Sequence, residues 1–365
     1  MKRSLPLIAA AAGLATVLAA AGCASSVQKV IATSTTPVVS EPLATSLATA
    51  QGTWAIVEMG GAASQEENFW QLFVRPAGAG DWSLVTPPGV ADNGGLVAAG
   101  AAGSLVVGFR PSQGLAFSPL ATSTDQGKNW TAGVLGTALA DVPDALAAGP
   151  TGPDLALLRD GDIDQSGPGG SWSKLTSVSA LAASAGGREC GLGGVDAVSF
   201  EMNGVKVVAG SCARPGVAGV FTDTNGTWRL DGPSVPGGGQ VRVLRLTGTT
   251  ALLGAGSSVY AAWLNGSSWT VSAALAGSPV ASGFGANGSA WVLFGDGHGA
   301  VIGAPGGGWQ QLPAAPTGTA ALALGGTGTE ALAVANTLLT IWRLDGGTWT
   351  KAQTIKVPIV FGSSS

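Results

Sequence analysis

Charge is scarce in this chain: only 10% of its 365 residues are Asp, Glu, Lys or Arg. Histidine occurs once, at His298, which rules out a metal cluster built on imidazoles and leaves one imidazole for acid-base work. Tyrosine also occurs once, at Tyr260. Lys and Arg total 17 against 21 Asp and Glu, so there is no basic footprint for nucleic acid. No stretch after residue 22 keeps an apolar spacing of 3.6 residues, which argues against a helical body. What the chain has is 45% hydrophobic residues, 59 Gly and 20 Pro. A soluble fold of about 300 residues hides roughly three quarters of its unfolded surface. With so apolar a composition disorder is excluded for the bulk of the chain, and all-β is the default class.

Seven tryptophans, Trp82, Trp130, Trp172, Trp228, Trp269, Trp309 and Trp349, recur at separations of 48, 42, 56, 41, 40 and 40 residues, each after a Gly-rich turn. One four-stranded blade per repeat accounts for this period, since a ring of such sheets buries each between its neighbours. The expected fold is a seven-bladed β-propeller of four-stranded antiparallel blades over 45–361. Strands are expected, for example, at Thr53 to Gly60, Asn68 to Arg75, Val205 to Cys212 and Val217 to Thr224, with blades five, six and seven starting at Gln240, Val280 and Thr319. Asn-Gly pairs at Asn203, Asn225, Asn265 and Asn287 fall between apparent strands, where both residues tolerate the positive φ of a two-residue hairpin turn.

The first 22 residues read as an export signal: Lys2 and Arg3, then an apolar run from Leu5 to Ala21. The sequence Leu18-Ala19-Ala20-Ala21-Gly22-Cys23 resembles the end of a bacterial lipoprotein leader, with Ala20 where Leu is more usual. The resemblance implies that Cys23 becomes the acylated mature N-terminus on the outer side of the cytoplasmic membrane. An ordinary secretory signal cut after the same small residues is the alternative. Lipidation would account for the odd one of three cysteines and leave Cys190 and Cys212 to pair in an oxidising compartment. Residues 23–44, rich in Ser, Thr and Pro, read as a spacer. Without Lys2 and Arg3, 15 basic residues face 21 acidic ones, a net charge of −6. A monomer is expected.

Ser123-Thr124-Asp125-Gln126-Gly127-Lys128-Asn129-Trp130 is a full S-x-D-x-G-x-x-W and resembles the Asp-box of BNR-repeat, sialidase-like propellers. The resemblance implies a structural hairpin between the third and fourth strands of a blade, with Asp125 accepting turn N–H groups and Trp130 filling an apolar gap. Degenerate copies end at Trp228 and Trp349. The architecture so named does not fix a function.

Candidate ligand contacts come from the loops joining second and third strands, which in a propeller share a face with the connections between blades. They are Glu66, Glu67, Arg110, Arg214, Asp296 and His298, with the Asp160 turn beside them. Solvated loop charges explain the same residues more simply. Asp160-Gly161-Asp162-Ile163-Asp164 has alternate carboxylates but lacks the Gly and terminal Glu of a calcium loop, so no metal or cofactor is expected. No catalytic residues are assigned. A sialidase-like glycoside hydrolase, which the Asp-box invites, lacks its Arg-Ile-Pro motif here, because Phe109-Arg110-Pro111 is one residue short; and Tyr260 falls in a third strand, away from the channel. The favoured expectation is a binding or scaffolding module for an envelope protein or glycan, and the hydrolase is the alternative.

Overall fold

A computed structural model describes residues 45–49, 52–60, 68–86, 96–101, 104–109, 120–129, 143–150, 153–158, 160–167, 171–201, 203–237, 239–285, 288–303, 305–326 and 328–358. The signal and spacer with Cys23, the loop with Glu66 and Glu67, and Arg110 and Trp130 lie outside these residues.

Antiparallel strands follow one another along the chain. The first group is β1 (Thr45–Thr49), β2 (Gly52–Gly60), β3 (Asn68–Pro76) and β4 (Ser83–Leu84), and the next is β5 (Leu96–Ala101), β6 (Ser104–Phe109) and β7 (Leu120–Ser123). Then come β8 (Ala145–Ala147), β9 (Leu155–Leu157), β10 (Asp162–Ser166) and β11 (Trp172–Ser177), followed by two short helices, α1 (Val178–Ala183) and α2 (Ala185–Cys190). The fourth group is β12 (Leu192–Phe200), β13 (Lys206–Cys212), β14 (Ala218–Thr224) and β15 (Thr227–Leu230). The fifth holds β16 (Val241–Thr247), β17 (Thr250–Ala255), β18 (Ser258–Asn265) and β19 (Ser268–Val271), with β20 (Leu275–Ala276) also pairing β18. The last two are β21 (Pro279–Phe284), β22 (Ala290–Phe294), β23 (Gly299–Ile302), β24 (Gln310–Gln311), and β25 (Thr319–Gly325), β26 (Gly328–Ala335), β27 (Leu338–Asp345), β28 (Thr348–Lys356).

Hairpins use the residues that positive φ demands. Asn225 and Gly226 (φ 53° and 81°) join β14 to β15, and Gly346 and Gly347 (55° and 84°) join β27 to β28. Both centres of such a turn need φ > 0 to match the strand twist. The two helices are a departure from the all-strand expectation. They are too short to show a helical period, and Ser177 and Ser184 start them, each accepting an N–H from three residues on (Ala180 at 3.2 Å, Gly187 at 3.0 Å).

Each group packs on the one before it. β5 lies against β2 and β3, β8 against β5 and β6, β12 against β8 and β9, β16 against β12 to β14, β21 against β16, and β25 against β21 and β22. β25 also packs on β1 and β2, so the circuit returns to its start. β1 and β21 touch edge to edge by one parallel pairing, Leu47 with Phe284, which makes the first and sixth groups one eight-stranded sheet with β25 across the seam. The core sits between the sheets: Val57 and Phe73 share one cluster with Trp291, Leu293, Leu322, Leu332 and Ile341.

Tryptophans near the outer strands tie neighbours together. The indole N–H of Trp269 donates to Asp231 O (2.5 Å), that of Trp309 to Ala273 O (3.1 Å) and that of Trp349 to Pro313 O (3.3 Å). In each pair the acceptor directly follows or closely follows the outer strand of the preceding group. Trp82, by the same logic, reaches back to the last group: its backbone exchanges two 2.8 Å bonds with the Gln353 amide, and its indole donates to Glu330 Oε2 at 2.9 Å.

Glu330 is fully buried and collects more than Trp82. Arg75 Nη1 lies 2.8 Å from Oε2, and Arg343 donates to Oε1 from Nη2 at 3.0 Å and Nε at 3.3 Å. The Arg75 guanidinium also lies over the Trp82 ring, 5.3 Å from its centroid, and burial pulls its pKa down against the opposing pull of Glu330. Gly325 leaves the room that Arg75 needs, since a Cβ there would collide with the guanidinium.

Candidate binding face

Antiparallel pairing sends every turn between second and third strands to the side from which first strands start. The backbone confirms that these turns share a face with the connections between groups, because hydrogen bonds join the two kinds of loop repeatedly. Val178 N donates to Gly161 O (2.8 Å), Arg214 N to Cys190 O (2.9 Å), Gly216 N to Gly239 O (2.7 Å), Gly277 N to Ser257 O (2.7 Å), Ala315 N to Gly297 O (3.0 Å) and Val357 N to Thr337 O (2.8 Å). This bonded rim is the candidate face.

Arg214 sits in the turn between β13 and β14, where Cys212 is bonded to Cys190, the last residue of α2. The bridge fastens the helical insertion to the turn, and Arg214 pairs with Glu189 at 2.9 Å in the open. Asp296 and His298 lie in the turn between β22 and β23. Asp296 accepts the His298 backbone N–H at 3.0 Å, which above all holds its carboxyl below the usual carboxylate range, and its other oxygen lies 3.2 Å from His298 Nδ1. Both side chains are exposed, and no bond links this pair to Arg214 and Glu189 among the described residues. The face therefore presents two local ion pairs rather than one converging cluster.

In the Asp160 turn, Asp160 accepts the Asp162 N–H at 2.9 Å and Asp162 meets Lys174 Nζ at 2.7 Å. Asp164, buried two residues further along β10, has its pKa raised first by burial and then by Asp162 and Asp160. A lysine occupies the ground a cation would take. Among the described residues no group of three or more His, Cys, Asp or Glu is arranged to hold a metal ion.

The first strands carry charge that sequence reasoning missed. β12 slips register between Val195 and Ala197, so Asp196 is the extra residue of a bulge, and bulges re-aim side chains. Burial pushes its carboxyl up to about 6, against Arg242 and the Val243 N–H on neighbouring β16, and its Oδ2 has no hydrogen-bond partner. Arg245, also on β16, is lowered to about 10 by burial and donates to Thr45 Oγ1 at 3.3 Å. The available signal was the rarity itself: in a chain so poor in charge, Asp196, Arg242 and Arg245 stand inside apolar runs.

On the opposite face, Ser123 to Asn129 form a tight turn. Ser123 Oγ accepts the Gly127 N–H (2.7 Å) and donates to Asp125 (2.8 Å), while Asp125 accepts from Asn129 N (2.9 Å) and Nδ2 (2.6 Å). The Asn129 backbone and side-chain bonds, followed by that of Ser123, lower the Asp125 carboxyl to about 2. Gln126 and Gly127 take φ of 63° and 83°, and a Cβ on Gly127 would strike Val85.

No protein-family model matches the sequence, and no curated protein does. Solved structures do. A Bacteroides fragilis protein provisionally described as a 6-phosphogluconolactonase is similar at 12% identity and a TM-score of 0.55, over 85% of this chain and 96% of that one. A Lactobacillus plantarum protein matches at 12% identity and 0.52, over 84% and 97%. The WD40 β-propeller domain of Doa1 matches at 10% and 0.50, over 85% and 95%. At these identities the likeness speaks to fold alone, and with the circuit of antiparallel sheets it makes the chain a β-propeller.

Proposed function

We propose that this chain is a lipid-anchored, seven-bladed propeller of the bacterial cell envelope that binds or scaffolds a protein or glycan on its turn face. The bonded rim carries the reading: six backbone bonds fix the turns of the third to seventh groups into a surface whose charged side chains pair locally and stand open to a ligand. The seven groups of strands, each packed on the last and the seventh on the first, support the blade number. The Ser123–Asn129 turn has the hydrogen bonding expected of an Asp-box and supports kinship with BNR-type repeats. Acylation of Cys23 supplies the anchor, and the Cys190–Cys212 bridge fits an oxidising compartment.

Binding is preferred to glycoside hydrolysis on the setting of Asp296, the described member of the carboxylate pair a hydrolase would use. A hydrolase needs two carboxylates facing each other across a cleft, whereas Asp296 is tied to His298 in its own turn with its acidity increased. Crosslinking from the native envelope tests the binding reading through a specific adduct that Arg214 and Asp296 substitutions abolish. Turnover of aryl glycosides or a sialoside by the purified ectodomain, lost on changing Glu66, Glu67 or Asp296, would reverse the preference. Recovery of a Cys23→Ser variant in the membrane fraction would remove the anchor.

A further inference from the structure

The direction and position of β1 decide which face an anchored propeller turns to the membrane. β1 runs parallel to β21 and antiparallel to β2, so it starts from the side bearing the turns between second and third strands. That side is the bonded rim. β1 is also held from several directions: Thr45 Oγ1 donates to Ser282 O of β21 (2.7 Å), Ser46 Oγ to Leu322 O of β25 (2.6 Å), Trp291 of β22 donates to Ser46 Oγ (3.0 Å), and Arg245 of β16 to Thr45 Oγ1 (3.3 Å). Thr45 thus lies among the first strands of the fifth, sixth and last groups, and the chain direction there points out of the middle of the turn face.

Cys23 precedes Thr45 by 45 − 23 = 22 residues. A linker of that many residues would, with the reach of a random coil, have a root-mean-square span of about 25 Å, and a body of some 320 residues has a radius of gyration of about 20 Å. A tether rooted mid-face must cross the face and then the thickness of the body before the opposite side can meet the bilayer. Its average span falls short of that path.

Resting on the lipid-anchored reading, we infer that the turn face is held toward the membrane, and that its partner is the external segment of an integral membrane protein. Charge argues against the lipid surface itself as the partner, because a body of net charge −6 gains nothing from anionic headgroups that attract Lys and Arg clusters. Apolar exposure favours protein. Val280 (48% exposed) and Leu338 (40%) are the exposed large hydrophobics among the described residues, and both stand where strands leave the turn face.

Ser257 and Ser267 provide the test. They are exposed at opposite ends of β18, an eight-residue strand, so about 26 Å apart at 3.3 Å per residue, with Ser257 on the turn face. The full lipidated chain, carrying fluorescent label at Ser257→Cys or Ser267→Cys, is bound to phosphatidylcholine vesicles with an acceptor dye on the headgroups. Energy transfer several-fold greater from position 257 is expected, and equal or reversed transfer overturns the orientation. Failure of the unmodified chain to bind vesicles, or binding that survives Cys23→Ser, defeats the anchor instead and is read separately. Photo-crosslinkers at Val280 and Leu338 in the native envelope should give adducts with an integral membrane protein that a crosslinker at Ser267 does not give. Adducts only with soluble proteins or wall polymer overturn the partner.

Discussion

Two kinds of junction hold this circuit of sheets together. Between groups adjacent in sequence, one indole N–H reaches one backbone carbonyl, as Trp269, Trp309 and Trp349 do. Between the last group and the first, Trp82 is fully buried and donates to a side chain, and Glu330 gathers Arg75, Arg343 and that indole while Gln353 brackets the Trp82 backbone. An ordinary junction needs little specificity, because its partner is the next segment of chain. A closing junction must select a partner 248 residues away, as Trp82 and Glu330 are. A buried carboxylate that gathers two arginines and an indole makes a register that loses them costly.

The largest effect is expected from breaking the closing junction. Glu330→Ala removes the buried carboxylate that Arg75, Arg343 and Trp82 share and should cost about 3–5 kcal/mol, read as a lowered midpoint in urea or thermal unfolding; a loss no larger than that of an ordinary junction would erase the distinction. Next, Cys190→Ser with Cys212→Ser should cost about 3 kcal/mol for a loop of this length, and should raise hydrogen exchange first in α1 and α2, far from the closure. Asp196→Asn tests the first-strand charge. A carboxyl raised to about 6 keeps its proton longer in the folded state, so stability is highest at acid pH and falls as pH rises from near 4 through 6. The variant should lose that slope and gain about 1–3 kcal/mol at pH 7.5, and a retained slope would assign it to another group. The smallest effect belongs to Trp309→Phe, which deletes one ordinary staple at about 1 kcal/mol; Trp82→Phe should exceed it, because Glu330 then loses a buried donor.

The tryptophan period was legible as a fold because it reports a repeated contact: the rings of Trp82, Trp269, Trp309 and Trp349 each sit where one sheet meets another, and the spacing between such rings is the length of a sheet. Strand order was legible for the same reason, since turns such as Asn225-Gly226 need residues with positive φ. The closing cluster was not legible. Arg75, Glu330 and Arg343 lie in apolar strands, and nothing local tells that they meet. The α1–α2 insertion escaped because two six-residue helices do not complete a period, although Ser177 and Ser184 mark their starts. The candidate face was legible as a set of loops, but pairing within it was not: Glu189 for Arg214 and His298 for Asp296 follow from a disulfide and a turn. Asp196 was missed because a bulge, invisible in an alternating pattern, sets its environment.

β1 has one more consequence, for the order of assembly as the chain is made. It is synthesised early, yet Ser46 bonds to Leu322, 276 residues downstream, and to Trp291. Contacts so distant in sequence form slowly, so this early strand waits as an open edge until the final sheet has been made.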